Sequence, residues 1–224
     1  GFDFPALTKQ ITRNGMNAIP IISLISFLFG LVLSINGAYL LSYWGQNHLI
    51  ADMVGIGFTR EFAPVLVGVM LSARSGAAIA AEIGTMEVRE EVEAMWTMGM
   101  NPAKHLTVPR VLSLALIAPV LSLVSNLVGI AGSFLVSTFG FGVNGNTFIR
   151  RLYEAIFLRD IVTGLGKSAV FGIVIGFIGC WFGHSVKGNA EEVGDAATRS
   201  VVWSIVLIIV ADGIFSTLFY LFNI

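Results

Sequence analysis

Residues 16–43 read MNAIPIISLISFLFGLVLSINGAYLLSY, twenty-eight positions without a single charged side chain. A helix that crosses the hydrocarbon core of a bilayer needs roughly 20 such residues. Segments of the same kind recur at about 53–83, 106–139, 161–186 and 201–222. The whole chain of 224 residues is 55% hydrophobic and only 12% charged. Its mean hydropathy is +0.83. A soluble domain carries about 25% charged residues, so this chain has too few charges to cover a water-facing surface. The fold class expected is an all-α membrane protein with five transmembrane helices. The membrane-spanning body is expected to be one domain over residues 16–224.

Ahead of the first span, Phe4, Leu7 and Ile11 fall at helical spacing, with Lys9 and Arg13 between them. That pattern predicts an interfacial amphipathic segment over residues 1–15. The numbering starts at Gly1 without a methionine, and sequence is expected to precede it. No secretory signal is read, because the first apolar run is too long for one and no small-residue cleavage site follows it. Five spans put the termini on opposite sides. With the N-terminus in the cytoplasm, the inner segments hold Lys9, Arg13, Arg89, Lys104, Arg110, Lys187 and Arg199, as the positive-inside rule favours.

Composition also excludes functions. A net charge of −1 offers no basic stripe for nucleic acid. The single cysteine, Cys180, closes no intrachain disulfide. His48, His105 and His184 are too scattered to suggest a metal site. Gly166-Lys167-Ser168 spells the end of a phosphate-binding loop, but Ile161 stands where the leading glycine belongs. Gly140, Gly142 and Gly145 match a dinucleotide pattern in spelling only, since no βαβ unit surrounds them. No nucleophile, base and orienter occur together, so no catalytic residue and no cofactor are assigned to this chain.

Small residues recur at every fourth position in four spans, for example Ser26, Gly30, Ser34 and Ala38, or Ser125, Gly129, Ser133 and Ser137. Such rows let helix backbones approach closely. They suit ordinary packing and also helices that slide. Charges inside the spans are more informative, because intramembrane charges face a protein interior or a wet cavity. Arg60 and Glu61 lie about 30 Å of helix rise before the exit of the second span. They are read as a structural or snorkelling pair or as site residues. Arg74 is assigned a structural role, bonded to other helices, and Glu82 is grouped with it. Lys167 and Asp212 raise the same question further along the chain.

Between the second and third spans, residues 85–98 predict a short helix. Val88, Val92, Met95 and Trp96 share one face, while Glu87, Glu90, Glu91 and Glu93 lie elsewhere. Thr85 is the expected N-cap, with Glu87 at the positive end of the helix dipole. Interfacial helices usually carry Lys and Arg on the polar face. An acidic one is better suited to docking on a protein.

The runs Arg60-Glu61-Phe62-Ala63-Pro64, Ala73-Arg74-Ser75-Gly76-Ala77-Ala78 and Ala80-Ala81-Glu82-Ile83-Gly84-Thr85-Met86 resemble the MlaE-like permeases. So do Glu91 to Met95, Met98-Gly99-Met100-Asn101-Pro102 and Val108-Pro109-Arg110. A weaker similarity runs through Ala197 to Val202 and Asp212. These are membrane subunits of ABC systems that work with MCE-domain proteins. The resemblance implies a homodimer in the bacterial inner membrane and a coupling helix at 85–98 that docks on a cytoplasmic ATPase holding ATP and Mg. It also implies a periplasmic MCE ring, and a small STAS-type subunit is a further implied partner.

Phospholipid would lie in a cavity near Arg60, Glu61 and Lys167. Phe27, Leu28, Leu31, Leu33 and Ile35 are then the expected apolar wall. Glu87, Val88, Glu91, Val92, Met95 and Trp96 are the expected ATPase-coupling residues. Two positions depart from the family pattern: Phe62-Ala63 replaces Leu-Gly, and Glu91-Val92-Glu93 replaces Gln, a hydrophobic residue and Asp. The rival expectation is an ion-coupled transporter or channel for a small amphipathic substrate, which would call for deep carboxylates such as Asp212.

Overall fold

The computed structural model describes residues 11–12 and 15–222. The interfacial helix expected at residues 1–15 falls almost entirely outside them. Among the described residues seven α-helices follow from Ile19 on: α1 (Ile19–Ser42), α2 (Ile50–Val88), α3 (Glu91–Thr97), α4 (Ala103–Phe139), α5 (Gly145–Ala155), α6 (Leu158–His184) and α7 (Ala190–Leu221). Five of them, α1, α2, α4, α6 and α7, are long and apolar enough to cross a membrane. The chain is thus a helical, multi-pass membrane protein.

Helix α2 runs through the middle of the bundle, against α1, α4, α6 and α7. Its Val67, Leu71, Ile79 and Ile83 join Leu114 and Leu121 of α4, Phe171 and Ile175 of α6 and Ile208 of α7 in the largest buried cluster. The small-residue rows are the seams of this packing. Ser26 bonds Ser125, and Ser34 donates to Ser133, so polar side chains join α1 to α4 where the membrane offers no water. A Cβ on Gly30 would stand 2.0 Å from the carbonyl oxygen of Gly129, and one on Gly164 2.0 Å from that of Thr59. The outward faces carry an apolar coat, such as Leu24, Leu28, Val32 and Ile35 on α1.

Two spanning helices contain wide π turns. In α2 these are Phe58–Phe62 and Ser72–Gly76, and in α4 the first turn, Ala103–Thr107. Pro64 and Pro109 each follow two residues after such a turn. A proline supplies no N–H and its ring collides with the carbonyl four residues back. One extra residue in the turn relieves that collision. The turn at Ser72–Gly76 has no proline. There Ser72 Oγ donates to the Gly68 carbonyl, and the Gly76 carbonyl accepts from Ser200 Oγ of α7.

Several boundaries differ from the sequence expectation. Helix α2 starts at Ile50 and continues to Val88, so Thr85 is no N-cap: its hydroxyl donates back to the Ala81 carbonyl within α2. The helix expected at 85–98 is therefore split. Glu90 adopts a left-handed φ of 57°, and only Glu91–Thr97 forms α3. The segment 140–160, between the third and fourth expected spans, contains α5. Its start is capped by Asn144, whose side chain accepts from the Asn146 N–H. Phe148 of α5 is buried against α2 and α4, and Arg151 pairs with Asp52 at 3.6 Å.

Candidate functional site

The π turn at Phe58–Phe62 places two adjacent charges toward neighbouring helices. Arg60 reaches Asp160 at the start of α6, 3.3 Å away. Asp160 is almost fully buried, and its second oxygen accepts from the Phe157 N–H, capping α6. Glu61 reaches Lys167, two turns further along α6.

Lys167 is the hub of this end of the bundle. Its side chain has no exposed surface. The ammonium has three protons to donate. They go to Glu61 Oε2 at 2.5 Å, Asp212 Oδ1 at 3.0 Å and Ser216 Oγ at 3.0 Å. Ser216 Oγ in turn lies 3.2 Å from Glu61 Oε1. The ring of Phe219 stands 5.6 Å from the ammonium. Asp212, Ser216 and Phe219 fall three and four apart, so one face of α7 supplies them all. Removing a charge from water costs several kcal/mol unless partners replace the solvent. Here every ammonium proton has an acceptor, and Glu61, partly exposed, carries negative charge to the wall of a cavity.

That cavity has a volume of about 610 Å³ and is lined by Ile56, Gly57, Arg60, Glu61, Arg159, Ser216, Phe219 and Tyr220. Two guanidinium groups and a carboxylate thus meet aromatic and aliphatic walls. Such a space suits a ligand with a charged head and apolar flanks. The structure brings Arg60, Glu61 and Lys167 together, but not in equal roles. Arg60 and Glu61 line the cavity, whereas Lys167 is a buried strut beneath it. The first-span residues stand elsewhere. Phe27 packs at Gly132, Leu33 joins the Phe58 cluster, and Leu28 and Ile35 face outward. Within one chain, then, Phe27, Leu28, Leu31, Leu33 and Ile35 do not line this cavity. Asp160, Arg159, Ser216 and Phe219 escaped the sequence reading.

At the other end of α6 the polar groups are arranged differently. Val92 is the buried anchor of α3, while Glu91, Glu93 and Trp96 are exposed and Met95 is half-buried. Arg89 and Glu91 form a loose, solvent-exposed pair at 3.7 Å. Glu87 does not belong to the face of α3. It ends α2 and meets His184 Nδ1 at 2.6 Å. The two intramembrane charges grouped as structural also part company. Glu82 is bound by Arg110, which is 8% exposed, at 3.4 Å. Arg74 is exposed, and among the described residues its guanidinium has no partner, which corrects the expectation that other helices hold it.

Residues 7–218 match the family model described as Permease MlaE. The chain belongs to the MlaE permease family. Among its curated relatives is a probable ABC transporter permease protein of Rickettsia bellii, 34% identical over 97% of this chain and 84% of the relative. Another, from Synechocystis, is 34% identical over 95% of this chain and 81% of the relative. The chloroplastic protein TRIGALACTOSYLDIACYLGLYCEROL 1 of Arabidopsis thaliana is also 34% identical, over 95% of this chain and 61% of the relative. As a member of the MlaE family, this chain is a permease subunit of an ABC transporter, not an enzyme and not the ion-coupled transporter weighed above.

Proposed function

We propose that this MlaE-family permease moves phospholipid between the bacterial inner membrane and a periplasmic MCE protein, powered by an ATPase in a separate chain. The observation that carries the reading is the cavity above Lys167. Arg60 and Arg159 offer cationic partners for a phosphate, and Ile56, Phe219 and Tyr220 offer apolar contact beside it. A volume of about 610 Å³ holds a headgroup but not a whole two-chain lipid. The acyl chains need more wall, which a second copy of the chain supplies in a homodimer. Leu28 and Ile35, exposed on α1, suit that wall. The name of the Arabidopsis relative is that of a galactolipid, which fits a lipid cargo for the family.

At the opposite end, exposed acidic α3 is the element an ATPase grips. ATP and Mg belong to that partner. With the N-terminus in the cytoplasm, α3 faces the ATPase and the cavity faces the periplasm, where an MCE ring receives or delivers lipid. A small STAS-type subunit on the cytoplasmic side completes the assembly. ATP binding would shift α3, and the first and second spans would open or collapse the cavity. The test is purification of the complex in mild detergent, followed by lipid extraction and mass spectrometry. An ATPase and phospholipid should come with the wild-type chain, and Arg60→Gln combined with Arg159→Gln should lower the phospholipid retained. A complex that holds no phospholipid, or holds it equally well in the double variant, sinks the proposal.

A further inference from the structure

His184 is the last residue of α6 and touches both flanks of α3. Its Nδ1 lies 2.6 Å from Glu87 Oε1 in the last turn of α2, and its Nε2 lies 3.5 Å from Thr107 Oγ1, where the first turn of α4 ends. The chain leaves the bundle after Glu87 to form α3 and re-enters it before Thr107. One imidazole therefore closes the base of the loop that carries the docking helix.

The direct covalent route from α3 to the cavity runs back along α2, but α2 is interrupted by the π turns at Ser72–Gly76 and Phe58–Phe62. Such turns are frequent at functional sites and break the regular hydrogen-bond ladder of a helix. Helix α6 has no such interruption over its 27 residues. Lys167 lies 17 positions before His184, roughly 25 Å at the rise of an α-helix. Helix α6 is also in close contact with α2 along its length. A Cβ on Gly183 would stand 2.7 Å from Ile83 Cβ, and one on Gly179 3.0 Å from the Gly76 carbonyl oxygen.

We infer that His184 is a positioning residue that couples α3 to α6, so that movement of the docked helix reaches Lys167 along the uninterrupted rod. Glu87 pulls on His184 from the α2 side and Thr107 steadies it from the α4 side. The displacement then arrives at the strut that holds Glu61 and Asp212. The inference rests on the reading of α3 as the segment an ATPase grips.

The experiment is reconstitution of the complete permease–ATPase complex in phospholipid vesicles, with lipid moved and ATP hydrolysed measured together. His184→Ala should keep the ATPase bound and hydrolysing, while lipid moved per ATP falls at least about fivefold, the lower range of coupling between distant sites. His184→Gln, which retains a donor and an acceptor, should restore the ratio to within about twofold of wild type. Should His184→Ala fail to assemble, His184→Leu replaces it, filling the same space without polar atoms. An unchanged ratio in the apolar variants, or equal loss in His184→Gln, overturns the inference. A wild-type chain that binds no ATPase sinks the docking reading instead. An intact, hydrolysing complex whose coupling ignores His184 sinks only this inference.

Discussion

The two ends of α6 handle charge in opposite ways. At Lys167 the bundle closes on itself: three helices supply a cation, two carboxylates and a hydroxyl, and every ammonium proton is used. Around α3 the bundle is unfinished. Glu91, Glu93 and Trp96 face outward, and Val92 alone anchors the helix. The difference follows from the surroundings. Within a membrane there is no solvent to complete a polar group, so the protein must complete it. Outside the membrane, charges left in water cost little and remain free for a partner. The closed end should therefore carry stability, and the open end should carry recognition.

The sharpest way to break that contrast is Lys167→Met. It removes the cation and leaves Glu61 and Asp212 facing each other with no counter-charge. Breaking a buried ion pair on one side costs about 3–5 kcal/mol. Thermal unfolding of the purified chain in detergent should show the loss. Adding Glu61→Gln and Asp212→Asn to Lys167→Met should recover much of it. A single Lys167→Met variant as stable as wild type would mean the cluster is wetter than its geometry implies.

A smaller effect is expected at Gly164, one turn before Lys167 on α6. A Cβ there would stand 2.0 Å from the Thr59 carbonyl oxygen, just before Arg60. Gly164→Val should push α6 from α2 and cost about 1–3 kcal/mol, the range for overpacking. It should also loosen the Glu61–Lys167 contact and reduce the lipid transfer proposed above. Gly194→Ala is the control, because nothing lies within 4 Å of its added Cβ. That change should stabilise α7 by up to about 1 kcal/mol from helix propensity alone. Equal melting temperatures for Gly164→Val and wild type would show that the seam between α2 and α6 has slack.

Much of the closed end could be read from the sequence, but not its pairing. Run length alone reveals spans, because the bilayer imposes a fixed thickness on any helix that crosses it. Arg60, Glu61, Lys167 and Asp212 stand out as charges inside those spans. Which of them meet depends on helix packing across separations of 45 to 106 residues, and no local pattern encodes that. Ser216 and Asp160 look like ordinary polar residues until Lys167 and Arg60 are placed beside them. Two of the three π turns had a signal in Pro64 and Pro109, while the one at Ser72–Gly76 had none. Helix α5 was also readable, since Asn144 precedes Phe148, Leu152 and Ala155 at helical spacing. Gly140 and Gly142 before it gave the segment the look of a loop. Thr85 misled because a capping residue inside a continuous helix looks like a helix start. The real break, at Glu90, is a positive φ on a residue type that seldom adopts one.

The smallest effect on stability should accompany Glu91→Lys with Glu93→Lys at the open end. Both side chains are exposed, and the pair of Glu91 with Arg89 is loose and solvated. Surface changes of this kind usually stay within about 0.5 kcal/mol, so the melting temperature should not move. If α3 docks on an ATPase as proposed, association should nevertheless fail, because the double change swings the charge of a seven-residue helix from acidic to basic. Removing a long-range attraction and replacing it with repulsion lowers affinity most at low salt, within a Debye length of about 10 Å at 0.1 M. Co-purification across a salt series therefore measures the difference between the two ends directly. If the ATPase stays bound at low salt and lipid still moves, the acidic face is not the docking surface. In that case the exposed Trp96 and half-buried Met95 must hold the partner without help from charge.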